Sequence, residues 1–136
     1  MNSIDEPTWQ RLIEEATAAS RNAHAPYSKF DVGAALLTSS GEVVRGCNVE
    51  NATFGATVCA ERVALANAVV QGHRQFDALC VITPADRPVA PCGICRQVLA
   101  EFALDLPILM VNTHGDRLYV TLAELLPHRF DGRDLK

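Results

Sequence analysis

The chain opens on an amphipathic stretch. Trp9, Leu12, Ile13 and Ala16 recur at helical spacing among Glu, Gln and Arg, the pattern of a helix with one buried face. Asp5 stands where a cap belongs and Pro7 near the first turn, so the spacing predicts a helix over residues 7–21. Pro26-Tyr27-Ser28 breaks the period. Residues 32–38 and 42–49 then read as two strands joined by Ser39-Ser40-Gly41, a short hairpin loop. Residues 59–71, rich in Ala, Leu and Val, read as a helix stopped by Gly72.

The second half repeats the alternation. Residues 78–83 (ALCVIT) are apolar throughout, as a strand buried on both faces should be. Pro91 introduces a helix over about 92–102, with Ile94, Val98 and Phe102 on one face. Residues 106–112 form another buried strand, and 118–120 a short one after the His114-Gly115-Asp116 turn. Thr121 and Glu124 fit a capping box before Leu125-Leu126 and the stop at Pro127. Strands alternating with helices after an initial hairpin predict a three-layer α/β/α sandwich around a mixed central sheet. With no linker, repeat or low-complexity tract, residues 1–136 are expected to form a single catalytic domain.

Composition narrows the function. The N-terminus, MNSIDEPTWQRLIEE, is acidic, with no positive flank and no apolar core of a signal peptide, and no run approaches the ~18 apolar residues of a membrane span. A cytoplasmic protein without a membrane partner is expected. The net charge is −4 with Lys and Arg scattered, whereas a nucleic-acid binder needs a basic stripe to displace phosphate counterions. Five cysteines are an odd number for a disulfide framework and point instead to metal or redox chemistry.

The strongest local signal is Pro91-Cys92-Gly93-Ile94-Cys95. Two cysteines three apart on a helix project from one face and can share one ion through zinc–sulfur bonds of about 2.3 Å. A third, Cys59, begins an earlier helix, where backbone N–H groups favour its thiolate. Three thiolates leave a fourth position open for water, the pattern of a catalytic rather than a structural site. Glu61, two residues on, is placed to shuttle protons without being a ligand. This Cys-x-Glu followed by Pro-Cys-x-x-Cys matches the pattern of zinc deaminases in its cysteine variant. Three thiolates on Zn²⁺ leave a net negative charge, so Arg62 and Arg96, each directly following a site residue, are expected to hydrogen-bond the thiolates and withdraw charge. Cys80, inside ALCVIT, reads as a small buried hydrophobe, and Cys47 more as core than as ligand.

At these residues the chain resembles the small, homotetrameric cytidine deaminases. The likeness rests on five ordered blocks: PYSKFDVGAAL (26–36), GCNVENATFG (46–55), TVCAERVA (57–64), PCGICRQVLAEF (91–102) and LLPHRF (125–130). It implies one Zn²⁺ per chain on Cys59, Cys92 and Cys95, and hydrolysis of cytidine or 2′-deoxycytidine to the uridine analogue and ammonia, a step of pyrimidine salvage. It implies that Asn48 and Glu50 bind the ribose 3′-hydroxyl, that Phe30 lies beside sugar and base, and that the Ala60 N–H meets the pyrimidine O2. Glu61 would face N3 and the amino group. Phe130 resembles the C-terminal aromatic that stacks on the base in a site shared between subunits of a homotetramer. Phe54 departs from the Tyr of many relatives. Three rival readings are a deaminase of a cytosine-containing antibiotic such as blasticidin S; a polynucleotide or tRNA deaminase, disfavoured by Cys59 where such enzymes usually carry His and by the scattered Lys and Arg; and a structural zinc module with Cys47 or Cys80 as fourth ligand.

Overall fold

The computed structural model describes residues 3–135. Helix α1 (Glu6–Ser20) is capped by Asp5, whose carboxylate accepts from the Thr8 N–H at 2.9 Å. Strands β1 (Gly33–Thr38) and β2 (Val43–Cys47) form the hairpin, and α2 (Ala60–Val70) leads into β3 (Phe76–Thr83). Then come α3 (Gly93–Ala100), β4 (Pro107–Asn112), β5 (Arg117–Thr121) and α4 (Leu122–Leu125). The five strands lie in the order β2-β1-β3-β4-β5, antiparallel except for the β3–β4 pair.

Why the central strands are apolar throughout follows from the pleat, which sends successive side chains to opposite faces. Leu36, Leu79, Val81, Ile108 and Met110 pack with α2, α3 and Leu122 on one face. Leu37, Cys80, Ile82, Leu109 and Val111 meet Trp9, Leu12 and Ala16 of α1 on the other. The expected three layers are therefore present, and Cys80 is core. Strand β3 begins two residues before the expected start because pairing with β1 continues past an irregularity at Leu37/Thr38 to Phe76. Thr121 and Glu124 close the expected capping box. Among the described residues no helix is long and apolar enough to cross a membrane.

The face of α3 differs from the expectation. Ile94 is 61% exposed, whereas Cys95 and Leu99 are buried, with Val98 and Phe102 packed partly against the core. Turning Cys95 inward rotates the buried stripe by one residue and leaves Ile94 outside.

Two glycines set how closely the helices approach the sheet. A Cβ at Gly33 would collide with the Ala16 carbonyl oxygen of α1, and one at Gly46 with the Ala60 oxygen and the Ala64 nitrogen of α2. Forcing a methyl into either contact should cost about 1–3 kcal/mol or more through helix displacement. In urea unfolding, Gly33→Ala and Gly46→Ala should both be clearly less stable than Gly55→Ala, where nothing stands within 4 Å. Equal stability of the three would mean that the glycines do not set this spacing.

Candidate active site

Two helix starts converge at the end of the sheet where parallel β3 and β4 finish, the usual place for a ligand in such topologies. The segment leading into α2 is pinned by reciprocal hydrogen bonds between Val49 and Val58, both at 2.9 Å. Cys59 is then the extended N-cap of α2, and Cys92 the extended N-cap of α3. Neither sulfur caps its own helix, so both are left to face a common point.

Cys59 Sγ lies 3.7 Å from Cys92 Sγ, and Cys92 Sγ 3.5 Å from Cys95 Sγ. All three sulfurs fall within 4.8 Å of one another. Three corners of a tetrahedron with zinc–sulfur bonds of about 2.3 Å are ~3.8 Å apart, so the sulfurs fit one zinc ion. Their protonation agrees. A hydrogen bond from Cys95, helped by Arg62 and Cys92, draws the Cys59 thiol well below its ordinary value against the effect of burial. The same Cys59–Cys95 contact, with burial, pushes the Cys95 thiol up. Three sulfurs so close cannot all ionise unless a cation neutralises them. Cys80 is different: burial pushes its thiol up to about 12, as expected of a core side chain.

Arg62 meets its expectation by donating from Nη2 to Cys59 Sγ at 3.6 Å, and also to the Thr57 carbonyl at 3.4 Å. Arg96 does not. Its Nε donates to the Pro91 carbonyl at 2.7 Å and its Nη1 to the Leu125 carbonyl at 2.9 Å. The expectation that it serves a thiolate is corrected to a backbone-bridging role, because α4 brings an unpaired helix-end carbonyl within its reach.

Glu61 is 5% exposed in the first turn of α2. Burial pushes its carboxyl up to about 7, with the nearby Cys59 adding to the shift and Arg62 opposing it. It lines a cavity of about 510 Å³ together with Phe30, Asn48, Glu50, Cys59 and Ala60. The Ala60 N–H, at the first position of α2, has no carbonyl partner within the helix.

The two polar groups expected at the sugar also build the wall they stand in. Asn48, 8% exposed, accepts from the Val32 N–H at 2.9 Å and donates to the Phe30 carbonyl at 2.7 Å. One of its amide hydrogens remains free for a ligand. Glu50 accepts from the N–H groups of Tyr27 (2.9 Å) and Ser28 (3.1 Å) and from the Ser28 hydroxyl. These bonds, led by that hydroxyl, hold its carboxyl below the usual range. A carboxylate has about four acceptor positions, so one stays open. Sequence reasoning missed Ser28, and also Thr83 and Val81 at the end of β3, which form part of the wall. For Val81 and Thr83 the only signal was position near the end of a buried strand, and Ser28, in a turn, carried none. Phe130 does not line this cavity; it is 56% exposed.

Comparison with known proteins places the geometry. Residues 7–111 match the family model described as the cytidine and deoxycytidylate deaminase zinc-binding region. A cytidine deaminase of Halalkalibacterium halodurans is 48% identical over 127 residues, covering 93% of this chain and 96% of the relative. One from Sporosarcina psychrophila is 47% identical, covering 93% of each chain. The crystal structure of a Burkholderia pseudomallei cytidine deaminase superposes with a TM-score of 0.87 at 47% identity, over 89% of this chain and 98% of that one.

Proposed function

The chain belongs to the cytidine and deoxycytidylate deaminases, and on that premise we propose that it hydrolyses cytidine and 2′-deoxycytidine to uridine and 2′-deoxyuridine, releasing ammonia. The observation that carries the reading is a buried carboxyl, Glu61, two residues from a three-thiol cluster in a cavity within the ~300–1,000 Å³ range of small-molecule sites. Residues 1–136 act as one catalytic domain, with one zinc per chain on Cys59, Cys92 and Cys95. The enzyme works in the cytoplasm, in pyrimidine salvage, as a homotetramer.

When bound to the three thiolates, zinc supplies a Lewis acid that makes water a nucleophile near neutral pH. Glu61 accepts a proton from the water that adds to C4 and delivers it to N3. It then takes the proton of the new C4 hydroxyl and passes it to the amino group, which leaves as ammonia while C4 becomes a carbonyl. A carboxyl held near neutrality is matched to a task that requires both accepting and donating. The Ala60 N–H hydrogen-bonds the pyrimidine O2, which becomes more negative as C4 is attacked. Asn48 and Glu50 orient the sugar through the 3′-hydroxyl, and Phe30 closes the side of the cavity against it.

Phe130 belongs to this reading from a distance. An aromatic ring 56% exposed and outside its own chain's cavity suits the site of a neighbouring subunit. Base-on-aromatic stacking is worth about 1–3 kcal/mol. Phe130→Ala should therefore lower kcat/KM by about tenfold, with zinc content unchanged; normal kcat/KM would show that the ring does not touch the base. The function as a whole is tested by ammonia release from cytidine, deoxycytidine, cytosine, CMP and blasticidin S in parallel. The two nucleosides should react far faster than the rest. A preference for blasticidin S would instead make the chain an antibiotic deaminase.

A further inference from the structure

Beyond its two thiols, α3 makes long-range bonds that none of the chemistry above uses. Arg96 bridges the Pro91 carbonyl, just before Cys92, to the carbonyl of Leu125, the last residue of α4. Gln97, the next residue of α3, donates from Nε2 to the carbonyl of Phe130 at 2.8 Å. Between these two anchors the chain reverses through His128, whose φ of 52° lies in the left-handed region. Beyond Phe130, Asp131 forms an ion pair with Arg129 at 3.1 Å, accepts from Arg133 at 2.8 Å, and donates its own N–H to Asp134 at 2.9 Å. The Phe130 carbonyl is thus held to α3 by Gln97, with a turn behind it that, among the described residues, is bonded only to itself, while the ring stays 56% exposed. An exposed large aromatic gains nothing by being fixed unless it is presented to something.

We propose that Arg96 and Gln97 are positioning residues for Phe130, so that the helix bearing Cys92 and Cys95 also sets where the base-stacking ring stands. The inference rests on the assignment of Phe130 to the base. The two anchors divide the work. Arg96 bonds at both ends of the connection, so its loss disturbs Cys92 as well as the tail. Gln97 is an exposed side chain whose one long-range bond among the described residues goes to Phe130, so its loss disturbs the ring alone.

Gln97→Glu tests this on the full-length zinc enzyme, since Glu keeps the shape but presents a carboxylate to a carbonyl where an N–H donated. A single hydrogen bond of ordinary strength corresponds to about a threefold to tenfold effect. KM for cytidine should rise by about that factor, with kcat within about twofold and one zinc per chain retained. Placed on Phe130→Ala, Gln97→Glu should add nothing, because the ring it positions is gone. Arg96→Ala should raise KM and weaken zinc retention together. An unchanged KM in Gln97→Glu, or the same rise on top of Phe130→Ala, overturns the positioning role. A silent Phe130→Ala overturns it too, together with the assignment of that ring, while deamination itself would still stand on ammonia release.

Discussion

Glu61→Gln retains its zinc and loses activity by about four orders of magnitude or more. The variant keeps the size and nearly all of the hydrogen-bonding surface of the side chain, which is 5% exposed. What it removes is the ability to hold and release a proton. A positioned general acid–base contributes about 10²–10⁴, and in the proposed mechanism the same carboxyl acts twice, once for addition of water and once for departure of ammonia. Metal analysis and turnover on the same sample check this. Cytidine should still bind, because the Gln amide can hydrogen-bond the base. Turnover within tenfold of wild type, with zinc present, would mean that another group carries the protons.

Serine in place of Cys59, Cys92 or Cys95 should abolish activity and lose the metal, whereas Cys80→Ser should keep the zinc. The first three sulfurs converge within 4.8 Å, while Cys80 lies in the core against α1 on the opposite face of the sheet. A metal bound only by the folded state stabilises it, by about 3–4 kcal/mol when free metal exceeds its Kd by a hundred- to a thousandfold. The ligand variants should therefore also melt well below wild type in the presence of zinc, and approach zinc-stripped wild type in stability. Zinc content by elemental analysis and thermal unfolding with and without chelator measure both effects. Full zinc occupancy in Cys59→Ser, or zinc loss in Cys47→Ser, would favour a structural module over the catalytic site.

The thiol cluster and Glu61 were legible in the sequence because each half is local. Cys59 and Glu61 share one helical turn, and Cys92 and Cys95 another, so only the convergence of two helix starts had to be supplied by the fold. The layers were legible for a similar reason: the apolar runs of β3 and β4 can be buried only between helices. What escaped depends on partners far apart in the chain. Arg96 looked like a neighbour of Cys95, yet it bonds a carbonyl 29 residues away. Ser28 carried no periodic signal, and its role appears only when Glu50, 22 residues on, folds against it. Ile94 shared the period of an expected buried face, but the inward turn of Cys95 shifted that face by one residue.

The central claim, zinc-dependent deamination at the Cys59–Cys92–Cys95 site, is tested most directly by stripping the enzyme with chelator and titrating zinc back while measuring ammonia release from cytidine. Activity should vanish on stripping and return linearly, reaching its plateau at one zinc per chain. Full ammonia release from verified zinc-free protein, or none from protein carrying one zinc per chain, would contradict the account.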